Sequence, residues 1–182
     1  MSLKELKTNT DQHFIDKKIF LTDKERKKIK AVVAVIINND LQILAFKRNY
    51  RHHFHKDDPQ LIIRIEDNDF GLPGGYVDET DESLESAVLR ELEEETGLRG
   101  NTVFPVFFRK GRKNGSSDCA AFVIEGVYGL LLPNSNLLGY DDKTGEPIYE
   151  GHAQWKNPND LLNPSFTYYE YNKALLEYLG LV

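Results

Sequence analysis

The sequence predicts an α/β sandwich. Two observations carry that reading: a series of short, β-rich apolar runs separated by turn residues, and two amphipathic helical stretches, one central and one near the C-terminus. Strands that must bury one face, with helices to cover them, close into layers around a core. Of 182 residues, 40% are hydrophobic and 11% aromatic, enough for one domain of ordinary size with a few insertions.

The elements follow in order. Residues 1–30 are polar and charged and form an extension, partly helical. Within it, LTDKERKKIK offers Thr22 as a cap with Glu25 three residues on, a capping box. The basic run from Lys24 to Lys30 reads as a solvated helix face. The domain proper spans 31–182. AVVAVIINNDLQILAFKR sets two apolar runs around Asn38-Asn39-Asp40, which predicts a hairpin. NYRHHFHKDDPQ reads as a loop, LIIRI as a short strand, and FGLPGGYV as a strand meeting a glycine-rich bend. NTVFPVFFRK and CAAFVIEGVYGLLL flank the turn GRKNGSS as two strands. PNSNLLGYDDKTGEP reads as an irregular insertion. A strand at HAQW and a capped turn at NPNDLL lead to a closing helix near YYEYNKALLEYL. There Tyr168, Tyr171, Leu175 and Tyr178 recur at helical spacing, a stripe suited to core packing.

Charge and cysteine usage exclude several function classes. The 23 basic and 29 acidic residues leave a net charge of −6, which disfavours a general nucleic-acid or membrane-surface binder. One cysteine, Cys119, excludes an internal disulfide framework and fits a reducing, cytoplasmic compartment. No apolar run is long enough to span a bilayer, and the N-terminus lacks the apolar core of a signal peptide. Cys119 reads as a small core residue, not a nucleophile.

The central helix carries the chemistry. With Ser83 to Thr96 at 100° per residue, Leu84, Ala87 and Val88 form one stripe. Continued toward the C-terminus, that stripe runs into Glu91 and Glu95, with Glu94 at its edge, whereas Glu93 points toward solvent. A solvated acidic face is the ordinary explanation for clustered carboxylates, yet these share the apolar side. Arg90 alone cannot offset three of them, and the negative end of the helix dipole gives no help. The pattern therefore asks for a bound cation. Oxygen-only ligands suit Mg²⁺, with Mn²⁺ as a substitute, and Mg²⁺ commonly shares its shell with substrate phosphates.

LPGGYVDETDESLESAVLRELEEETGL resembles the signature of the Nudix hydrolases: Gly, five residues, Glu, seven residues, then Arg-Glu-aliphatic-any-Glu-Glu-any-Gly-aliphatic. Counted back from Arg90, the matches are Glu82, Arg90, Glu91, Leu92, Glu94, Glu95, Gly97 and Leu98. Gly75 lies one residue out of register, because six residues separate it from Glu82. The resemblance implies an α/β/α sandwich with a mixed sheet. It also implies that Glu91, Glu94, Glu95 and the carbonyl of Gly75 (or Gly74) hold the metal, and that Arg90 pairs with Glu82 to brace loop against helix. Gly97 is then only a left-handed cap.

The activity implied is hydrolysis of the pyrophosphate in a nucleoside diphosphate linked to another group. The proton acceptor is Glu91 or a late-loop glutamate, Glu146 or Glu150. The partner expected is a small nucleotide, with neither nucleic acid nor membrane, and a homodimer is the assembly that family habit suggests. For the substrate phosphates, Arg48 and Arg51 are the candidates, with Lys47 beside them, and Arg109, Lys110, Arg112 and Lys113 cluster at a turn. His52, His53 and His55 lack convincing ligand spacing. The alternative is a nucleotide-metabolite sensor on the same fold. Such regulators append a DNA-binding domain, and only Gly180-Leu181-Val182 follow the late helix, so an enzyme is expected.

Overall fold

A computed structural model describes residues 15–52, 61–65, 67–111 and 117–182. The His53 and His55 readings and the Arg112 and Lys113 candidates lie outside the described residues. The framework is a four-stranded mixed sheet. It consists of β1 (Ile29–Val35), β6 (Gly74–Tyr76), β8 (Thr102–Arg109) and β9 (Asp118–Glu125), ordered β6-β1-β9-β8. β1 runs parallel to β9, and the other two pairings are antiparallel. A second sheet holds β2 (Ile43–Arg48) between β13 (Gly151–Lys156) and β5 (Phe70–Gly71).

Alternation along β1 and β9 divides the core in two. Val32, Ala34, Ala120, Phe122 and Ile124 face the central helix, α2 (Leu84–Thr96), and meet its Leu84, Ala87, Val88 and Leu92. Val35, Ala121 and Val123 face the other way, toward Leu175, Leu176 and Leu179 of the closing helix α3 (Tyr169–Leu179). Helices thus cover both sides of strands whose inner positions alternate, the α/β/α arrangement. The short α1 (Asp23–Arg26) is closed by the expected capping box, with Thr22 and Glu25 bonding each other's backbone N–H. Its Arg26 forks onto Glu85 of α2 at 2.9 and 3.0 Å.

Three segments differ from the sequence reading. The turn at Asn38-Asn39-Asp40 forms, with the Asn38 side chain accepting from the N–H groups of Asp40 and Gln42. Yet the two runs pair there only briefly, through Asn38 with Gln42, Ile37 with Ile43 and Ile36 with Leu44, before β1 and β2 join different sheets. Most residues of both strands are buried, and each strand pairs with long-range partners instead of its neighbour. The segment read as a loop after Arg48 begins with a strand, β3 (Tyr50–His52), paired with β4 (Ile62–Arg64). The insertion read as irregular holds a hairpin, β11 (Leu137–Tyr140) with β12 (Pro147–Tyr149). It turns on the Asp141 carboxylate, which accepts from Lys143 and Thr144. The two-residue strands β7 (Leu98–Arg99) and β10 (Tyr128–Gly129) pair with each other.

Candidate active site

Ser83 starts α2 by accepting from the N–H of Ser86, and Gly97 ends it at φ 75°, the left-handed cap expected of it. Between those caps the glutamates separate by burial. Glu95 is 2% exposed. Its carboxylate accepts the Gly74 N–H at 2.7 Å and the Arg48 guanidinium at 3.2 Å. Burial pushes Glu95 up to about 7, against the opposing pull of Arg48 and the Gly74 N–H. The Glu91 side chain is mostly buried and lies against Gly75, where an added Cβ would come within 2.5–2.6 Å of its carboxylate. Burial also raises Glu91, with repulsion from Glu94 adding to it and Arg90 opposing. Glu94 is half-exposed. Glu93 faces solvent and pairs with Arg99.

Arg90 ties this face to the preceding loop, and the partner is Asp81, not Glu82. The guanidinium donates to both Asp81 oxygens at 3.0 Å each, to the Tyr76 carbonyl at 3.0 Å, and to Glu91 and Glu94 at 2.8 and 3.0 Å. Glu82 is exposed. Counted forward from Gly75, five residues lead to Asp81, so the acidic position of the motif is filled by an aspartate. The extra residue therefore lies between Asp81 and α2. Asp81 is fixed further by the Asp78 N–H at 2.7 Å. The sequence held this signal in the spacing from Gly75, and counting only backward from Arg90 obscures it.

Arg48, expected to face substrate, lines the cleft described next and is also clamped between carboxylates. It pairs with Glu95 and with Glu150, and its guanidinium lies over the Phe46 ring at 5.1 Å. Glu150 also accepts from Asn136 and sits at the start of β13. Glu146 is exposed at the far end of the β11–β12 hairpin. Arg51 is carried on β3 opposite Ile63 and is not among the residues that line the cleft described next, and Lys47 stands opposite His152. Of the two late glutamates, only Glu150 is joined to the α2 face.

Beside that face lies a cleft of about 410 Å³. Gly74, Gly75 and Arg48 form the end nearest Glu91 and Glu95, while Tyr76 and Tyr168 form walls. Arg109, Cys119 and Tyr171 also line it. Tyr168 is set by its neighbours. The buried Asp69 carboxylate accepts the Thr167 N–H at 3.0 Å and its hydroxyl at 2.8 Å, and the Tyr168 ring then lies on Gly71, where a Cβ would be 3.1 Å away. Asp69 also accepts the Arg48 N–H through its carbonyl at 3.0 Å. The tyrosine stripe of α3 serves two roles: Tyr171 and Tyr178 both pack on Phe107, as core packing requires, while Tyr168 and Tyr171 also line the cleft. Helical spacing alone could not separate these roles, because the opening between α3 and the sheet is set by long-range contacts.

Among the described residues, no three acidic, histidine or cysteine side chains already converge on one point. The donor set still suits a hard divalent cation. Glu91 and Glu95 supply oxygen only, both are drawn out of water, and Gly75 leaves room for backbone to approach Glu91.

The NUDIX domain pattern matches residues 27–171. An ADP-ribose pyrophosphatase of Methanocaldococcus jannaschii is 31% identical, over 56% of this chain and 70% of its own. The ORF135 protein of E. coli superposes with a TM-score of 0.53 at 22% identity, covering 82% of this chain and 89% of its own. A mutator MutT protein of Bacillus halodurans gives 0.52 at 19% identity and 80% of each chain. The NUDIX domain of Shewanella oneidensis NrtR, solved with ADP ribose, gives 0.50 at 21%, covering 88% and 97%. At these identities the solved structures speak to the fold.

Proposed function

This chain belongs to the Nudix family of pyrophosphohydrolases, and from that premise we propose that it hydrolyses a nucleoside diphosphate linked to a second group. The observation that carries the reading is the placement of Glu91, Glu94 and Glu95 along α2, with the cleft opening beside them at Gly74 and Gly75. Glu91, Glu94 and Glu95, with a carbonyl of the Gly74-Gly75 bend, would hold Mg²⁺ or Mn²⁺. Such an ion, when bound, neutralises the diphosphate and lowers the pKa of the attacking water.

The chain's own residues do the rest. Arg90 and Asp81 fix the bend against α2, so that the carboxylates and the Gly75 backbone keep their spacing. Arg48 holds Glu95 and Glu150 together on one guanidinium. Glu91 and Glu150 are the carboxylates that could take the proton of the water: Glu150 shares Arg48 with Glu95, whereas Glu146 is exposed on the β11–β12 hairpin. The cleft would receive the nucleoside or the second group, with Tyr168 offering an aromatic wall. The Methanocaldococcus relative places ADP-ribose first among the compounds to try. The single cysteine fits a reducing, cytoplasmic setting.

The test is hydrolysis of a panel with Mg²⁺, with Mn²⁺ and with chelator, products being identified by mass. The panel holds ADP-ribose, nucleotide sugars, dinucleoside polyphosphates, oxidised nucleotides and nucleoside triphosphates. Metal-dependent cleavage of one class, lost with chelator, is expected. Tight binding without cleavage at every metal and pH would overturn the proposal in favour of a nucleotide sensor.

A further inference from the structure

At the α3 side of the cleft stands a group that the proposed chemistry does not use. The Tyr171 hydroxyl is buried and has no hydrogen-bond partner among the described residues. Its ring is held edge-on by Phe107 at 5.8 Å, and its residue lines the cleft. The Cys119 thiol is its near neighbour, but no hydrogen bond of ordinary geometry joins them. Leaving a buried hydroxyl without a partner costs stability, so a residue of the cleft wall that carries one asks what would complete it.

Arg109 sharpens the question. It stands opposite Cys119 across the β8–β9 ladder and lines the same cleft. Arg26, Arg48, Arg64, Arg90 and Arg99 each close on a carboxylate. Arg109 has no such partner among the described residues. A guanidinium offers donors only, and a tyrosine hydroxyl beside it can donate as well. Lys110 and Ser117 add further donors along this rim, where Glu170 is the acidic side chain.

We propose that Tyr171 and Arg109 form the reading corner of the cleft, specificity-determining residues that bind a hydrogen-bond acceptor on the substrate's cleft-bound half. This deepens the hydrolase reading, since it concerns the same cleft. The acceptor is a base-edge oxygen or nitrogen, or an oxygen of a phosphate; the corner's chemistry is shared by both.

Equilibrium binding tests this without depending on turnover. The probes are adenosine, guanosine, AMP, GMP, UMP and inorganic phosphate, titrated into the wild-type chain, Tyr171→Phe and Arg109→Gln. Tyr171→Phe should weaken the best nucleoside or nucleotide by about two- to tenfold, the worth of one hydrogen bond. Arg109→Gln should weaken it by roughly tenfold or more. Losses shared by the free nucleosides assign the acceptor to the base, and losses confined to phosphate-bearing probes assign it to phosphate. In steady-state assays the same variants should raise KM with little change in kcat. Thermal stability of Tyr171→Phe should hold or rise, because an orphan hydroxyl is removed. Unchanged binding of every probe by both variants, or no probe binding to the wild type, would overturn the inference. A chain that binds as expected but cleaves no diphosphate would overturn the hydrolase reading alone.

Discussion

Arg90 donates to both oxygens of Asp81, nine residues earlier, at 3.0 Å each, and so fastens the glycine bend to the acidic helix. Asp81 accordingly replaces the glutamate that the family's motif would place there. Asp81→Asn and Arg90→Ala should each cost about 2 kcal/mol, the range for a charged hydrogen-bonded pair. Activity should fall with stability. Glu82→Gln should change neither, and denaturant titration with parallel rate assays separates the cases. A loss in Glu82→Gln as large as that in Asp81→Asn would restore Glu82 as the brace.

The same pair makes a pH prediction. The Arg90 hydrogen bonds hold Asp81 below the ordinary aspartate value of 3.8. A depressed folded value means that the native state binds the proton less readily than the unfolded chain. The contribution is therefore full above the unfolded value and fades as pH falls through the folded one. Melting temperature plotted against pH should lose part of its acid slope in Asp81→Asn. An identical slope would show that the pair is not coupled to folding.

Glu94→Gln and Glu95→Gln should both abolish most hydrolysis, but they should differ in stability. Glu94 is half-exposed, so its variant should melt like the wild type. Glu95 accepts from Gly74 and Arg48 in a buried position, and weakening those bonds should lower the melting temperature. Glu93→Gln breaks only a surface pair with Arg99 and should leave the melting temperature close to that of the wild type. Full activity in both Glu94→Gln and Glu95→Gln would sink the assignment of the metal face.

The late glutamates can be told apart directly. Glu150→Gln removes a carboxylate that shares Arg48 with Glu95 and should lower kcat by at least about tenfold if it takes the proton. Glu146→Gln should leave kcat unchanged. A pH–rate profile whose acid limb survives in Glu150→Gln and is lost in Glu91→Gln would assign the proton to Glu91.

Thr167→Val should free Tyr168 from its setting. The Asp69 carboxylate would lose the hydroxyl donor at 2.8 Å while remaining buried, a cost of about 1–3 kcal/mol. KM should rise more than kcat falls, and Thr167→Ser should restore both. Equal kinetics in Thr167→Val and wild type would show that Tyr168 needs no such anchor.

The sequence by itself determined which carboxylates of α2 lie on its buried side. Helical periodicity is a local property, and Glu91 and Glu95 on an apolar stripe, with Glu94 at its edge, are legible from residues 84–95 alone. It also determined the Thr22–Glu25 capping box, the Gly97 cap and the alternating β-rich runs, because these depend on neighbours a few residues away. The choice of Asp81 over Glu82 is local and was also legible in the spacing from Gly75, and the loop's path turns that carboxylate inward to Arg90. What only the tertiary structure decided are relationships across long separations. Arg48 clamps Glu95 and Glu150 because β2 lies beside β13. Tyr171 lines the cleft while still packing on Phe107, and Tyr168 reaches it, because Asp69, Gly71 and Phe107 fix where α3 lies. A period of 3.6 residues marks a face, and only the fold says what that face meets.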